Sequence, residues 1–544
     1  MDFARTLRWL FSAESGLRNR LVPRWLFLRA LGLIYFSAFY SLVFQIKGLI
    51  GPQGILPANG YLADIAAAVG SLRYWYAPTV FWSSASSLML IAICWIGMIA
   101  SLQVVFNIWP RITLAICFVC FLSFVSAAGD FSSYQSDGML LEAGFISLFL
   151  APSGFRPGLG IDSPPSRASY LLLVWEWFRI YFESGVVKLL SGDVHWRDLT
   201  AMDDYYQNGP LPTWIGWYVQ HLPHWFHATT VVLTLALELA IVWLGFLPRR
   251  WRLICFFIVT PWQVAVILTA NYTFLNYLVL ALGVLLLDDE FLAEWLPRLP
   301  RRLRRLLPAA PLPADRAAPT VEDSATASVQ TDRSFIRDHL HSIWFSISVV
   351  MLTWVFYATS LLLVRMLWRS VPLPMAPVAA LDPFRIANRY GLFAVMTPAR
   401  YEIEFQGSDD GQTWTPYPFR YKPQALDEAP RIYAPYQPRF DWNLWFASLG
   451  DWRQYPIVPR TEETLLDNDA DVLSLFKGNP FPSRPPKMVR AVLWQYWFTT
   501  IAEKRQTGLW WRRKFLGTYA PTLEKMPDGR FMVTQLPTAS APPL

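Results

Sequence analysis

The sequence has little charge and few cysteines. Asp, Glu, Lys and Arg make up 16% of the 544 residues, whereas soluble domains usually contain about 25%. All four cysteines lie in apolar runs, so their spacing indicates no disulfide framework. Cys117 and Cys120 form a C-x-x-C pattern inside the run AICFVCFLSFV, where we expect two buried thiols and not a redox or metal pair.

Motifs of known chemistry are missing as well. The chain contains no Walker loop, no G-x-S-x-G, no H-E-x-x-H and no G-x-G-x-x-G in a strand–helix context. His221, His224 and His227 recur every third residue, but Pro223 interrupts them, so interfacial or capping roles are expected. Motifs alone name no reaction, cofactor, metal ion or nucleic-acid partner, and we predict none.

What the chain has in abundance is apolar sequence. It is 54% hydrophobic and contains 27 Trp. A helix needs about 20 mostly apolar residues to cross a bilayer. Nine runs meet or approach that length: 25–46, 86–107, 111–128, 139–152, 168–190, 226–247, 253–270, 272–288 and 342–364. We therefore predict a polytopic α-helical membrane protein with about eight or nine spans, in which the short run 139–152 is either a crossing or a re-entrant segment.

Basic residues predict the orientation of these spans, because cytoplasmic connections are rich in Lys and Arg. If the N-terminal arginines are cytoplasmic and run 139–152 crosses, every connection on the same side is basic. The arginines of those connections are Arg111, Arg156, Arg167, Arg249, Arg250 and Arg252, followed by RLPRRLRRLL at 298–307. The loop 191–225 and everything after the last span then lie on the far side of the membrane.

Five regions follow from this topology. Residues 1–24 form a basic cytoplasmic N-terminus, with no cleavage site after the first apolar run. Residues 25–290 form the transmembrane bundle, including the far-side loop 191–225. Residues 291–335 form a disordered linker that is first basic and then rich in Pro and Ala. The final span at 342–364 leads to a far-side domain, periplasmic or lumenal, at 380–544.

The far-side domain is predicted to contain β-structure. The stretch YEIEFQGSDDGQTWTPYPFRY alternates apolar and polar residues around a DDG turn signal, which predicts a hairpin in a small α+β, sandwich-like domain. The stretches DWNLWFASLG and RAVLWQYWFTTIAEKRQ are predicted to be helices. Trp442, Trp445 and Phe446 are candidates for exposed aromatic residues that bind a client protein.

The run SYLLLVWEWFRIYFESGVVKLL is apolar enough to span a membrane but contains ionisable residues. At about 100° per residue, Glu176, Arg179 and Glu183 fall within about 60° of one another and form one stripe. Each residue alone would cost about 3 kcal/mol at the middle of the bilayer. Because the stripe places opposite charges three and four residues apart, we expect it to face the interior of the bundle.

Three further residues extend this predicted intramembrane polar network. Lys188 lies about 120° from the stripe, near the far-side end of the span, and could extend to the interface. Glu142 and Glu238 are mid-span acids and the natural partners of Arg179 or Lys188. Two interpretations stay open. The network is either a set of ion pairs that fixes helix packing, or the lining of a cavity that handles protons or a lipid or substrate headgroup.

The loop SGDVHWRDLTAMDDYYQNGPLPTW that follows is rich in side chains that cap helices. Asp198 is predicted to cap a helix that begins at Leu199, and the Asn-Gly-Pro triplet ending at Pro210 is predicted to stop it. Pro212 is predicted to open a second helix, TWIGWYVQHLPHWFH. This aromatic helix should lie along the membrane surface.

Three long stretches resemble the lipase maturation factor family. They are FESGVVKLLSGDVHWRDLTAMDDYYQNGPLPTWIGWYVQHLPHWFH, NRYGLFAVMTPARYEIEFQGSDDGQTWTPYPFRYKP and APYQPRFDWNLWFASLG. The loop residues that carry the first stretch are Gly192, Asp193, Trp196, Arg197, Asp198 and Pro210. The family's animal members are membrane proteins of the endoplasmic reticulum that secreted lipases need in order to become active. The resemblance implies a non-enzymatic factor whose C-terminal domain and far-side loop bind a secreted client such as a lipase, and whose other partners are membrane lipids.

Two other functions remain open. The segment YFESGVVKLLSGDVHW also resembles a region of vitamin K-dependent γ-glutamyl carboxylase and its bacterial relatives, with Gly185 and Lys188 in similar places. That resemblance implies a membrane enzyme acting on a quinone- or lipid-like substrate, with Lys188 as the base beside Glu183 and Arg179. The third alternative is a membrane scaffold. The composition, rich in Ala, Arg and Trp, favours a bacterial inner membrane, and a eukaryotic source would imply the endoplasmic reticulum membrane; the oligomeric state stays open.

Overall fold

The structure of the protein is a computed structural model that describes residues 3–295 and 333–539. Its α-helices are α1 (Phe3–Phe11), α2 (Leu21–Val43), α3 (Ile46–Ile50), α4 (Ala58–Val69), α5 (Arg73–Tyr76), α6 (Ser87–Val105), α7 (Pro110–Ala127), α8 (Gln135–Leu150), α9 (Arg167–Leu190), α10 (Val194–Arg197), α11 (Tyr205–Asn208), α12 (Trp214–Gln220), α13 (His224–Leu239), α14 (Arg249–Thr269), α15 (Leu275–Gly283), α16 (Asp289–Trp295), α17 (Arg333–Leu367), α18 (Ala376–Ala379), α19 (Arg439–Ala447), α20 (Ile457–Leu466), α21 (Ala470–Leu473) and α22 (Ile501–Thr507). Its strands are β1 (Arg400–Ser408), β2 (Thr415–Pro416), β3 (Met488–Phe498), β4 (Trp511–Thr518), β5 (Thr522–Lys525) and β6 (Phe531–Gln535).

Residues 3–295 together with α17 form a helical bundle that belongs in a membrane. Six segments among the described residues are long and apolar enough to cross one: Leu21–Val43, Ser87–Val105, Pro110–Ala127, His224–Phe246, Arg249–Thr269 and His341–Leu367. The helix α9 has 24 residues but carries the predicted charges, α8 has 16 residues, and Leu275–Leu286 is a shorter apolar helix. The predicted polytopic helical fold is confirmed, and a total of eight or nine spans remains a prediction.

Arginine side chains form hydrogen bonds with the loops at one end of this bundle. Arg24 donates to the carbonyl oxygens of Leu159 and Ser163, both at 2.6 Å, and Arg111 donates to that of Ala151 at 2.8 Å. Loop 151–166 therefore lies at the same end as the start of α2 and the start of α7. Because α8 ends at Leu150 and begins near the C-terminal domain, it runs from one end of the bundle to the other. At about 1.5 Å per residue its 16 residues extend about 24 Å, which is short for a bilayer core of about 30 Å.

The C-terminal domain contains one antiparallel sheet of six strands. The strand order is β2-β1-β3-β5-β6, and β4 also pairs with β3. The central pair β1 and β3 runs from Arg400 opposite Tyr496 to Ser408 opposite Met488. Helix α19 packs against β1, and α20 packs against β3 and β5. The α+β prediction is confirmed, and within the described residues a sheet covered by helices takes the place of the predicted sandwich.

One secondary-structure prediction in this domain was wrong. The stretch RAVLWQYWF belongs to β3 and is not a helix. Its Val, Trp, Tyr and Phe residues favour strands, and pairing with β1 on one side and β4 on the other buries Val489, Ala491 and Leu493 completely. The helix is confined to α22, where Thr500 and Glu503 form a capping box.

The predicted linker falls mostly outside the described residues. Of the segment 291–335, the structure describes the end of α16, up to Trp295, and the start of α17 at Arg333. The predicted final span 342–364 lies within α17, which has 35 residues. The segment 380–398 then packs against the bundle before β1 begins, and it proves to be central to the site.

Candidate functional site

The intramembrane polar network forms around Arg179 in α9. The guanidinium group contacts the carboxylate of Glu142 in α8, and its Nη1 lies 3.8 Å from Glu183 Oε1. The same Nη1 donates to the carbonyl oxygen of Asn388 at 2.7 Å. Tyr390 donates its hydroxyl to Glu142 at 2.9 Å and its backbone N–H to Glu183 at 2.6 Å. All of these charged side chains are buried, so the network binds a segment of the C-terminal domain inside the bundle.

Glu176 lies in the same buried stripe but is less well bonded. Its Oε1 is 3.5 Å from the hydroxyl of Tyr390, and its Oε2 has no hydrogen-bond partner among the described residues. The stripe of Glu176, Arg179 and Glu183 therefore faces the bundle interior, as the helical wheel indicated.

Lys188 forms a second buried centre. Its ammonium nitrogen lies 2.9 Å from both carboxylate oxygens of Glu238 and donates to the carbonyl oxygens of Leu392 at 3.1 Å and Ser184 at 3.4 Å. Only 2% of its side chain is exposed. Lys188 therefore does not extend to the interface, and its N–H donors are already taken up by protein oxygens.

The loop after α9 holds the same C-terminal segment from outside. Asp193, and not Asp198, caps the next helix by accepting the N–H of His195 at 2.9 Å. Its other oxygen accepts the N–H of Met396 at 2.6 Å, and Trp196 donates to the carbonyl oxygen of Phe393 at 3.1 Å. The predicted helix from Leu199 is wrong, because Leu199 has a φ of +59° and ends the turn instead.

The remaining residues of this loop divide into two groups. Gly192 has a φ of +81°, which suits glycine and allows the turn after α9. Pro210 contributes its carbonyl oxygen to Arg400, as described below, whereas Arg197 and Asp198 are exposed. The Asn-Gly-Pro triplet ends a different helix from the predicted one, the short α11, whose last residue is Asn208. The surface helix is split into α12, which Thr213 caps, and α13, which begins after Pro223.

Buried polar contacts join the C-terminal domain to the far end of the bundle. Arg439 of α19 makes a bidentate pair with Asp137 of α8, with both N–O distances 2.8 Å. Arg400 of β1 donates to the carbonyl oxygens of Gln207, at 2.9 Å, and Pro210, at 3.1 Å, and it also contacts Gly209 and Glu402. We call these contacts, together with those of Asn271, the polar clamp.

Asn271, between α14 and α15, completes the polar clamp. Its Nδ2 donates to the carbonyl oxygen of Arg431 at 2.7 Å, and its Oδ1 accepts the N–H groups of Tyr433 at 2.7 Å and Ala434 at 3.1 Å. A buried amide with this many backbone partners fixes the chain that passes it. Sequence reasoning missed the polar clamp because the partners that join the two domains are at least 160 residues apart in the chain.

A cleft of about 550 Å³ opens beside the polar clamp, between the bundle and the C-terminal domain. We call it the aromatic cleft. Its aromatic walls are Tyr134, Tyr205, Tyr272, Phe393, Trp442, Trp445, Phe446 and Tyr455. The ring of Tyr134 stacks on Phe446 at 5.9 Å and meets Trp442 edge-on at 6.2 Å, so the walls support one another.

The predicted client-binding aromatics line this cleft, but two of them are not freely exposed. Trp442 is 8% and Trp445 is 7% exposed, because α19 packs them between β1 and the bundle, whereas Phe446 is 37% exposed. The Nε1 atoms of both tryptophans are buried and have no hydrogen-bond partner among the described residues. An unpaired buried donor costs free energy, and because neither nitrogen is accessible from the cleft, the tryptophans contribute their rings to its walls.

Asp441 is a buried residue of α19, next to Trp442 in the chain. It accepts the backbone N–H groups of Lys422 at 3.1 Å and Tyr421 at 3.3 Å. Burial raises the pKa of the Asp441 carboxyl to about 6, against the lowering effect of these bonds and of the Lys422 ammonium group.

The predicted histidines do not converge. His221 Nε2 lies 2.9 Å from the carbonyl oxygen of Thr499, His224 Nδ1 lies 3.0 Å from the carboxylate of Asp203, and His227 packs on Tyr206. Across residues 3–295 and 333–539, no three His, Cys, Asp or Glu side chains are placed to hold a metal ion.

Comparison with known proteins assigns both halves of this architecture. The family model described as the lipase maturation factor transmembrane domain matches residues 22–294, and the lipase maturation factor C-terminal domain matches 386–521. The chain belongs to the lipase maturation factor family. The polar clamp joins the two matched domains, and α17 lies between them.

Individual members of the lipase maturation factor family match over most of their length. Lipase maturation factor 2 of Gallus gallus is 31% identical over 92% of this chain and 81% of its own. Lipase maturation factor 2 of Homo sapiens is 30% identical over 92% of this chain and 82% of its own length. Lipase maturation factor 1 of Bos taurus is 31% identical over 93% of this chain and 89% of its own length. No solved structure matches the chain.

Proposed function

We propose that this chain is a membrane-embedded maturation factor that binds a partly folded secreted protein in the aromatic cleft. The names of its relatives point to a lipase as the client. The observation that carries the proposal is the aromatic cleft itself, because its walls are lined by aromatic rings and Phe446 at its mouth is 37% exposed. A partly folded chain exposes apolar side chains, which are the groups that this surface would receive.

The polar clamp keeps the aromatic cleft in a preformed shape, which favours binding. Arg439, Arg400 and Asn271 hold the two walls of the cleft in place through buried hydrogen bonds. A preformed site loses little conformational freedom when it binds, so more of its contact energy appears as affinity.

The position of the aromatic cleft fits a client in the secretory compartment. It opens at the end of the bundle opposite the arginines, where the loop 191–225 and the C-terminal sheet also lie. With the basic end in the cytoplasm, the cleft faces the periplasm of a bacterial inner membrane, which the composition favours, or the lumen of the endoplasmic reticulum. Membrane lipids surround the bundle and place the cleft close to the bilayer surface.

A lysine base is not favoured by the contacts of Lys188. A general base needs a free lone pair, whereas this ammonium group is held by Glu238, Leu392 and Ser184. We therefore prefer binding without catalysis to an enzyme that acts on a quinone-like substrate.

Refolding of a secreted lipase tests the proposal. The full chain in phospholipid nanodiscs is mixed with a denatured, purified lipase, and the recovered lipase activity is compared with that of the lipase refolded alone. We expect a higher yield with the chain, and loss of that gain with Phe446→Asp at the mouth of the cleft. Phe515→Asp is the matched control, because Phe515 is also exposed but lies on β4, away from the cleft. An unchanged yield, or an equal effect of both variants, would contradict the proposal.

A further inference from the structure

A second cavity of about 270 Å³ lies inside the bundle. Its walls come from α9, α13, α14 and α15 and from the loop after α9. We call it the lateral cavity. It is separate from the aromatic cleft except for one shared wall. That wall consists of Tyr205, Leu275, Leu392 and Phe393, which line both cavities.

The lateral cavity lies between the two least buried spans. Helix α13 exposes Val232 and Leu233, and α14 exposes Phe257, Val264 and Leu268, as expected of helices that face lipid. Helix α13 packs on α9, and α14 packs on the turn at Ile241–Phe246 and on α12, so the two helices hardly touch each other along the cavity. The space between them therefore opens sideways, toward the hydrocarbon core of the bilayer.

The chemistry of the lining selects an uncharged, apolar occupant. Thr230, Thr234, Val266 and Val279 line it, and each carries at least one methyl group. The charged groups at its inner end, Lys188 and Glu238, are paired with each other at 2.9 Å. The hydroxyl of Tyr181 is likewise bonded to Gln263, at 2.6 Å. A headgroup would have to break these buried bonds, whereas a hydrocarbon chain gains apolar contact and breaks none.

We propose that the lateral cavity holds one acyl chain of a bilayer phospholipid, which enters between α13 and α14. The headgroup stays at the far-side interface, and the volume suits part of a single chain. Because the bound chain lies behind Phe393 and Tyr205, it supports the wall of the aromatic cleft from within the membrane. This inference concerns the membrane lipid alone and does not depend on the identity of any client.

Photolabelling of the full chain tests the proposal. The chain is reconstituted in nanodiscs of phosphatidylcholine that carry a diazirine on one acyl chain, irradiated, and mapped by mass spectrometry. We expect adducts on the inward-facing residues Thr230, Val266 and Val279. Thr234→Trp fills the cavity and should lower these adducts at least about fivefold. Leu233→Trp is the matched control, since the neighbouring Leu233 is 52% exposed on the same helix, and it should leave them unchanged.

A second variant and a second lipid probe complete the test. If Thr234→Trp does not fold, Ala265→Trp at the exposed mouth of the cavity replaces it, with the same expected loss of adducts. Adducts confined to outward-facing residues such as Val264 and Leu268 would overturn the proposal, and so would cavity adducts that persist in the filled variant. A diazirine fatty acid in the same nanodiscs is the second arm. Cavity labelling by the free acid but not by the phospholipid would overturn the assignment to a bilayer phospholipid.

Discussion

One short helix, α19, takes part in two different surfaces. At its start, Arg439 is paired with Asp137 across the boundary with the bundle, with each N–O distance 2.8 Å. Trp442 follows about one turn later and Trp445 about two turns later, and both line the aromatic cleft. The guanidinium groups of the polar clamp make most of their hydrogen bonds across the domain boundary, although the Nε atoms of Arg400 and Arg439 have no partner among the described residues. The aromatic cleft is instead lined by rings, of which Phe446 is 37% exposed. The difference separates residues that join the two domains from apolar surface that a ligand can contact.

Arg439→Ala should have the largest effect, because it leaves Asp137 buried without its partner. We expect a loss of about 3–5 kcal/mol in the free energy of unfolding, measured by thermal unfolding in detergent and followed by tryptophan fluorescence. Arg453→Ala is the control, since the Arg453 side chain is 69% exposed and pairs only with Asp451 at 3.1 Å. That variant should lose no more than about 1 kcal/mol. Equal losses of stability in the two variants would mean that the Arg439–Asp137 pair contributes no more than an ordinary surface ion pair.

Lys188→Met should cause the next largest loss in the free energy of unfolding, about 3 kcal/mol, because it leaves Glu238 buried without a cation. Adding Glu238→Gln removes the unpaired charge and should restore about half of the lost stability. Refolding of a lipase by the folded fraction of either variant should match the unaltered chain. A variant that stays folded but refolds no lipase would show that Lys188 has a role in function beyond stabilising the fold.

Asp441 predicts a dependence of stability on pH. Its pKa rises from 3.8 in the unfolded chain to about 6 in the folded one, so the folded state binds the proton more tightly. The stabilisation is therefore complete below pH 3.8 and is lost as the pH rises through 6, by about 2–3 kcal/mol. Asp441→Asn should remove this slope when unfolding is measured between pH 4 and 7. A slope that persists in the variant would assign it to other groups.

Trp442→Phe should have the smallest effect on the fold. It keeps an aromatic ring and removes a donor that has no partner among the described residues, so stability should change by no more than about 1 kcal/mol. Binding of a denatured lipase should weaken about fivefold, because the smaller ring gives the client less apolar contact in the cleft wall. Trp494→Phe is the control. Trp494 belongs to β3 and lies outside the cleft, and its Nε1 likewise has no partner among the described residues. Equal affinities for the two variants would mean that the client does not use Trp442.

The sequence predicted the elements whose partners are local. The stripe of Glu176, Arg179 and Glu183 follows from helical spacing alone, and Glu142 and Glu238 could be named as partners because few other acids lie in apolar runs. The strand β3 was missed because its aromatic residues suit either a helix or a strand until β1 and β4 are paired with it.

The polar clamp and the segment 386–397 could not be predicted in the same way. Asp137 lies just before the apolar run and reads as an ordinary residue at a helix start, and its partner Arg439 is 302 residues away. The exposure of Trp442 and Trp445 was predicted wrongly because only the docked bundle shows what covers them.

Site-specific photocrosslinking tests the central claim most directly. Benzoylphenylalanine is placed at Phe446, at the mouth of the aromatic cleft, or at Phe515 on β4, and the full chain in nanodiscs is irradiated with a destabilised secreted lipase. Our account predicts a crosslinked lipase from position 446 and none from position 515. Equal crosslinking from both positions, or crosslinking from 515 alone, would contradict binding of the client in the aromatic cleft.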